Sequence, residues 1–286
     1  MKRKFGFLSA LLLILSTAFL AVPQSARGQS PQEIVSKVVD NELWADAHDH
    51  TRWMYRDAYK SPDKDVVKVV IETAQGNLSM VIEDHRQPPG AQEHQADLDR
   101  IQRMVGDPSF RAQQKKNEQH DGQQAREMLK LLPDAFIWNI VSRSDGNVTL
   151  TFRPNPNFSA GSMSAKVLAA MSGTMTVDEK AMRLRSLRGR LDNPVEFAWG
   201  LLGHLDAGGT FAIDRSDVGD GSWQITQMHV HISGHALFFK TIGDQEDEIT
   251  SDYHHVPDDV NLDKAAEMLR DGQVARDLDI ERHPGA

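Results

Sequence analysis

Met171-Ser-Gly-Thr-Met-Thr-Val-Asp178, answered by Met182-Arg-Leu-Arg-Ser-Leu-Arg-Gly-Arg190, is the stretch whose reading decides the fold. It reads as a strand over Gly173 to Asp178, a short turn at Glu179-Lys180 and a return strand over Ala181 to Leu191. Further strands follow over Val195 to Leu201, Gly209 to Asp214, Ser222 to Ser233, His235 to Ile242 and Ile249 to Val256. Gly219-Asp220-Gly221 and Ser233-Gly234 serve as the turns between them. Consecutive strands joined by short turns pair as antiparallel neighbours.

The same pattern runs upstream. Thr51 to Tyr59, Val66 to Ala74 and Leu78 to Glu83 alternate in the manner of strands, with a turn at Gln75-Gly76-Asn77. Val67, Val69 and Ile71 share one face, and Leu78, Met80 and Ile82 share the facing one. Phe136 to Arg143 and Val148 to Arg153 form a second hairpin around Ser144-Asp145-Gly146-Asn147. Helices interrupt the strands. Ser30-Pro31-Gln32-Glu33 has the cap, first-turn proline and returning glutamate of a capping box, and Ile34, Val35, Val38 and Val39 give the helix up to about Asp46 its apolar stripe. From Ala91 to Leu132 the spacing predicts two helices parted at Asp107-Pro108, with a polar excursion at about 107–126 centred on Gln113 to Gln124. Asn261 to Arg270 closes the chain with an apolar face of Leu262, Ala265, Ala266 and Leu269 and a cap at Gly272. The expectation is an α+β fold of about eleven strands, a large curved antiparallel sheet with helices on its concave side.

Composition narrows the setting. Lys2, Arg3 and Lys4 precede the apolar run Phe7 to Val22, and Ala26-Arg27-Gly28 suits a cleavage site, so residues 1–28 read as a signal peptide and 29–286 as one exported domain. Loss of that segment removes four cations and no anion, taking the formal charge from -9 to -13. So acidic a chain is a poor partner for nucleic acid. The polar pair Lys115-Lys116 does not alter that. There is no cysteine, so the core itself must supply stability, and no later apolar run approaches the length of a membrane span.

The order of elements, together with the Gly-Thr-x-x-Val-Asp strand and its leucine-bearing return strand quoted above, resembles the LolA-like half-barrel superfamily. That resemblance implies a periplasmic carrier or sensor in which an incomplete barrel, covered by helices, encloses an apolar cavity for acyl chains. The implied partner is a lipid or an acylated protein.

Trp53, Tyr55, Phe136, Trp138, Phe152, Met175, Phe197, Trp199 and Phe238 fall on strand faces at period two and are the candidate cavity lining. The same residues would equally serve as core. No serine elbow, zinc-protease helix, phosphate loop or dinucleotide fingerprint occurs, so the sequence gives no catalytic residue and no cofactor. His229 and His231 lie two apart on a strand and project to one side, which keeps a metal-dependent or hydrolytic enzyme as the alternative. Met228, Val230 and Ile232 occupy the other side, which places both histidines on the wetter face, so no metal ligand is assigned. A non-catalytic regulatory or structural envelope protein is the third.

Overall fold

The computed structural model describes residues 29–197, 203–236 and 239–271. The first half of the chain gives α1 (Pro31–His48), β1 (Trp53–Ser61), β2 (Lys64–Ile71), β3 (Leu78–Asp84), α2 (Ala91–Gly106), α3 (Pro108–Ala135), β4 (Phe136–Ser144) and β5 (Asn147–Pro154). The second gives α4 (Met163–Ala169), β6 (Met171–Asp178), β7 (Arg183–Leu191), β8 (Val195–Phe197), β9 (Gly203–Leu205), β10 (Thr210–Asp217), β11 (Trp223–Ala236), β12 (Phe239–His255) and α5 (Leu262–Arg270). The fold is α+β, with twelve strands in one antiparallel sheet and five helices among the described residues.

The sheet is open, in the order β3-β2-β1-β12-β11-β10-β7-β6-β5-β4, with β9 paired to the end of β11 and β8 to β9. Most neighbours in the sheet are neighbours in sequence. The exceptions on this path are β7 on β10 and β1 on β12, and the second joins the first strand to the last inside the sheet.

Where a turn was expected at Ser233-Gly234, β11 runs straight through to Ala236 and pairs with a single long β12. The expected strand His235 to Ile242 covers the last residues of β11 and the first of β12, with residues 237–238 outside the described ones, and Ile249 to His255 of the other is the far end of β12, paired with β1. Gly234 is there for close approach and not for a bend. A Cβ on it would lie 2.3 Å from the His204 carbonyl oxygen, because β9 packs its backbone against this point. Gln245 and Asp247 are exposed and Glu246 and Glu248 half-buried, so charge along this part of β12 costs little and the strand continues through it. Val195 to Leu201 likewise holds only the short β8, and residues 198–202 lie outside the described residues, as does Gly272.

Helix boundaries follow the local chemistry. Asp107 caps α3 by accepting the backbone N–H groups of Ser109 at 2.8 Å and Phe110 at 3.1 Å, with Pro108 at the first helical position. The polar excursion is the exposed middle of this helix. At its far end the Trp138 indole donates to the Leu132 carbonyl at 3.0 Å, which satisfies one of the last carbonyls the helix cannot pair itself.

Two apolar cores result. Ile34, Val35, Val38 and Val39 of α1 and Leu132 of α3 pack over β4 to β7, against Phe136, Trp138, Leu150, Met175 and Leu187. Each such aliphatic side chain contributes on the order of 1.5–3 kcal/mol when fully buried. The second core joins α2 and α5 to Val69 and Ile71 of β2 and to Leu78 and Met80 of β3. The registers fix which side each core takes. Leu187 pairs Ile213, Ile213 pairs Met228, and Met228, Glu248 and Tyr59 continue that row, whereas Val69 pairs Arg56, which alternates with Tyr59 to the opposite side. The α1/α3 layer and the α2/α5 layer therefore cover opposite faces, at opposite ends of the sheet.

The β3 edge is closed by side chains. Asp97 of α2, almost wholly buried, accepts the Val81 backbone N–H at 2.6 Å, and Arg100 donates to the Ser79 carbonyl at 2.7 Å. Occupied edge groups cannot recruit another strand. Asp97→Ala should lower stability by about 1–3 kcal/mol, the cost of an orphaned buried donor, read as a shifted denaturant midpoint with unchanged slope. An unchanged midpoint would show that water replaces the carboxylate.

Candidate functional site

Between α1, α3 and strands β7, β10 and β11 the packing leaves a cleft of about 430 Å3. It begins where the first core ends. The α1 stripe that carries Val38 and Val39 continues one turn on to Glu42, so a carboxylate stands where another aliphatic residue would have sealed the layer. Leu43, Leu129, Leu184, Ile213 and Ile225 give the cleft apolar walls. Asp46 and Asp49 from the end of α1 and beyond, and Arg126 from α3, give it a polar rim.

Glu42 is the anchor of its inner wall. Only 5% of its surface is exposed, yet its carboxylate is fully engaged. Arg183 donates from Nε to Oε1 and from Nη2 to Oε2, each at 2.9 Å, in the two-pronged fork that suits a carboxylate. The Leu184 backbone N–H donates to Oε1 at 2.9 Å, and Arg215 Nη1 closes on Oε2. Burial alone would raise the Glu42 carboxyl; the hydrogen bond from Arg183 and the charge of Arg215 outweigh it and hold the group below its ordinary value. Arg215 also donates to the Trp223 carbonyl at 2.6 Å, and the Arg183 and Arg185 guanidinium groups lie over the Trp223 ring.

The rim is tied in the same way. Arg126 meets Asp46 at 3.0 Å. Asp49 accepts the Thr51 backbone N–H at 2.9 Å and the Ser222 hydroxyl at 2.7 Å. Burial would raise Asp49, but these hydrogen bonds prevail and its carboxyl sits below the ordinary range. Three carboxylates and three guanidinium groups line the cleft, so it is amphipathic without a net charge.

The residues singled out from sequence lie elsewhere. Phe136, Trp138 and Phe152 contact one another with ring centroids 4.6–5.8 Å apart and, with Met175, are buried in the first core. Trp53 is buried beside the β10–β11 turn, its indole N–H donating to Ser222 Oγ at 3.3 Å. Tyr55 stacks on Tyr253 farther along the sheet. Trp199 and Phe238 lie outside the described residues, as does the side chain of Phe197. None of the six described residues lines the cleft.

His229 and His231 project to the face opposite the cleft. His229 Nδ1 meets Asp247, and His231 Nε2 lies 3.0 Å from the Gln245 amide. No group of three or more His, Cys, Asp or Glu residues is placed to hold a metal ion among the described residues. Asp214, on the neighbouring β10, accepts from Arg188 Nη2 at both carboxylate oxygens, at 2.8 and 2.9 Å.

Comparison with known proteins returns no match to a family model, a curated protein or a solved structure. Among the described residues no helix is long and apolar enough to cross a membrane.

Proposed function

We propose that this chain is an exported binding module, a half-barrel whose sheet curls around α1 and α3 and whose cleft takes the apolar chain of a lipid or of an acylated protein. The cleft carries the proposal: a space of about 430 Å3, apolar along its walls and ion-paired at its rim, between a helical layer and the sheet. Its volume falls within the roughly 300–1,000 Å3 range of small-molecule sites. The resemblance to LolA-like proteins implies the same arrangement, with the ligand between helices and sheet.

Binding fits the chemistry of the cleft better than catalysis does. A general acid or base works best with a pKa near the working pH. Glu42 and Asp49 are both moved away from that range, towards permanent ionisation, by partners that already occupy them.

Ala125 lines the cleft mouth from an exposed position on α3, so a large side chain there can obstruct entry without disturbing a core. Native mass spectrometry of the exported protein should show a bound amphiphile, and a delipidated sample should take up a fluorescent fatty acid. Ala125→Trp should lower that uptake by about tenfold or more. A wild-type chain that neither carries nor takes up an amphiphile, or an Ala125→Trp variant indistinguishable from it, would end the proposal.

A further inference from the structure

One ion pair in the cleft is loose. Of the three guanidinium groups that line it, Arg183 and Arg215 are largely covered and committed to Glu42, whereas the Arg126 side chain is 41% exposed and meets Asp46, itself 53% exposed. The pair spans the gap between α3 and α1 at 3.0 Å. Neither partner makes a second hydrogen bond or ion pair among the described residues. Water competes for both groups, so such a pair is held weakly and exchanges readily. Asp49 adds a fixed negative charge to the same rim, its two oxygens already taken by the Thr51 backbone N–H and the Ser222 hydroxyl.

The helices set this pair at the end of an apolar track. α1 and α3 run in opposite directions, since Arg126 meets Asp46 while Gln32, near the start of α1, donates to the Pro133 carbonyl near the end of α3. One turn from Asp46 stands Leu43, and one turn from Arg126 stands Leu129; both line the cleft and pack on the first core. Along each helix the cleft therefore passes from leucine to charge within a single turn. Gly122, one turn before Arg126, lines the cleft as well, and a Cβ on it would lie 3.3 Å from Arg126 Nη1. Glycine inside a helix is a weaker former than alanine. Here it leaves bare backbone against which the guanidinium lies as it reaches towards α1.

The charges of this rim constrain a head group. An anion drawn to Arg126 displaces Asp46 and then faces two carboxylates, Asp46 and Asp49. A cation drawn to Asp46 leaves Arg126 unpaired. A group that carries both signs pairs each partner again, and it adds no net charge to a cleft lined by three carboxylates and three guanidinium groups.

We infer that the cleft selects a zwitterionic amphiphile, its apolar chain between Leu43 and Leu129, its anionic group on Arg126 and its ammonium on Asp46. Guanidinium suits a phosphate or carboxylate because two of its N–H groups donate side by side. The inference rests on the reading of the cleft as a lipid site and adds the class of head group to it.

The test is calorimetric titration of the full chain, below the micelle concentration, with dodecyl amphiphiles that differ in head group: dodecylphosphocholine, sodium dodecanoate, dodecyltrimethylammonium chloride and the uncharged dodecyl maltoside. Dodecylphosphocholine is expected to bind about threefold or more tighter than each of the others. Phosphocholine without a chain should bind about a hundredfold or more weaker than dodecylphosphocholine. Arg126→Gln should move the preference to dodecyltrimethylammonium and Asp46→Asn to dodecanoate. Both side chains are half exposed and outside the cores, so circular dichroism should show folded variants; should either fail to fold, the wild-type order decides alone. Equal binding of all the amphiphiles, a wild-type preference for another head group, or folded variants that keep the wild-type preference overturns the inference and leaves the cleft as a lipid site. Failure of every amphiphile to bind ends both readings. Phosphocholine binding as tightly as its dodecyl ester would separate the charges from the apolar track and overturn the inference.

Discussion

Glu42→Ala is expected to lower the stability of the fold by about 3–5 kcal/mol, measured by equilibrium denaturation, because it leaves two largely covered guanidinium groups without their counter-ion. Arg183 and Arg215 expose only 13% and 18% of their side chains, so neither can recover full hydration where it stands. The Leu184 backbone N–H loses its acceptor at the same time. Against a typical total of about 5–15 kcal/mol, a loss of that size leaves a chain that is marginal or unfolded. Glu42→Gln should cost less, since its amide oxygen still accepts one of these bonds. A loss below about 1 kcal/mol in Glu42→Ala would mean that the arginines simply swing into the cleft.

The same group sets an acid limb. The Glu42 carboxyl titrates below its ordinary value in the folded protein, so its contribution is present above the unfolded pKa, near 4.3, and is lost as pH falls through the lower folded one. Wild-type stability should therefore fall more steeply below about pH 5 than that of Glu42→Gln. Parallel profiles would remove Glu42 as the source.

Strands and helices were legible because their period was legible. Val69 and Ile71 meet the second core on the face their alternation predicts, although Val67 stays half-buried while Val66 and Val70 are buried, and Ile34, Val35, Val38 and Val39 recur where α1 meets the sheet. Pairing was less so. Gly234 reads as punctuation in any single sequence, and only the neighbouring β9 backbone shows that its lack of a side chain is the point. The helical faces were also harder to read, since amphipathic α2 and α1 announce an apolar stripe without saying which side of the sheet receives it.

The cleft was hidden for a related reason. Aromatic residues on strand faces promise either a core or a cavity lining, and here Phe136, Trp138 and Phe152 fill their own space. The usable signals were polar. Glu42 interrupts an apolar helical stripe, and the return strand Arg183 to Leu191 carries arginines at Arg183, Arg185, Arg188 and Arg190. A carboxylate on a packing face and a surplus of guanidinium groups on a strand call for each other, although spacing alone cannot say that Arg183 and the distant Arg215 are the two that answer. The stacking of Tyr55 on Tyr253 gave no such signal, because β12 brings Tyr253 beside Tyr55 only through pairing between the first strand and the last.

Gly173→Ala should destabilise the protein by about 3–5 kcal/mol, and Gly189→Ala by about 1–3 kcal/mol, a difference that follows from what each new methyl group would meet. The two glycines pair across β6 and β7, between Phe152 on β5 and Phe211 on β10. At Gly189 the obstacle is a side chain, since the Phe211 ring lies 2.1 Å from an ideal Cβ. At Gly173 the first obstacle is backbone: the Arg188 carbonyl oxygen is 1.9 Å away, with Phe152 Cζ next at 2.7 Å. A ring can turn, but a carbonyl held in a ladder moves only if the strand moves. Double-mutant cycles separate the two cases. Phe211→Ala should recover most of the loss in Gly189→Ala, so that the pair costs less than its two parts together. Phe152→Ala should recover little in Gly173→Ala, because the carbonyl remains. Equal rescue at both positions would mean that β6 and β7 can part without strain, and the close approach of these strands would then have no role in shaping the sheet under α1.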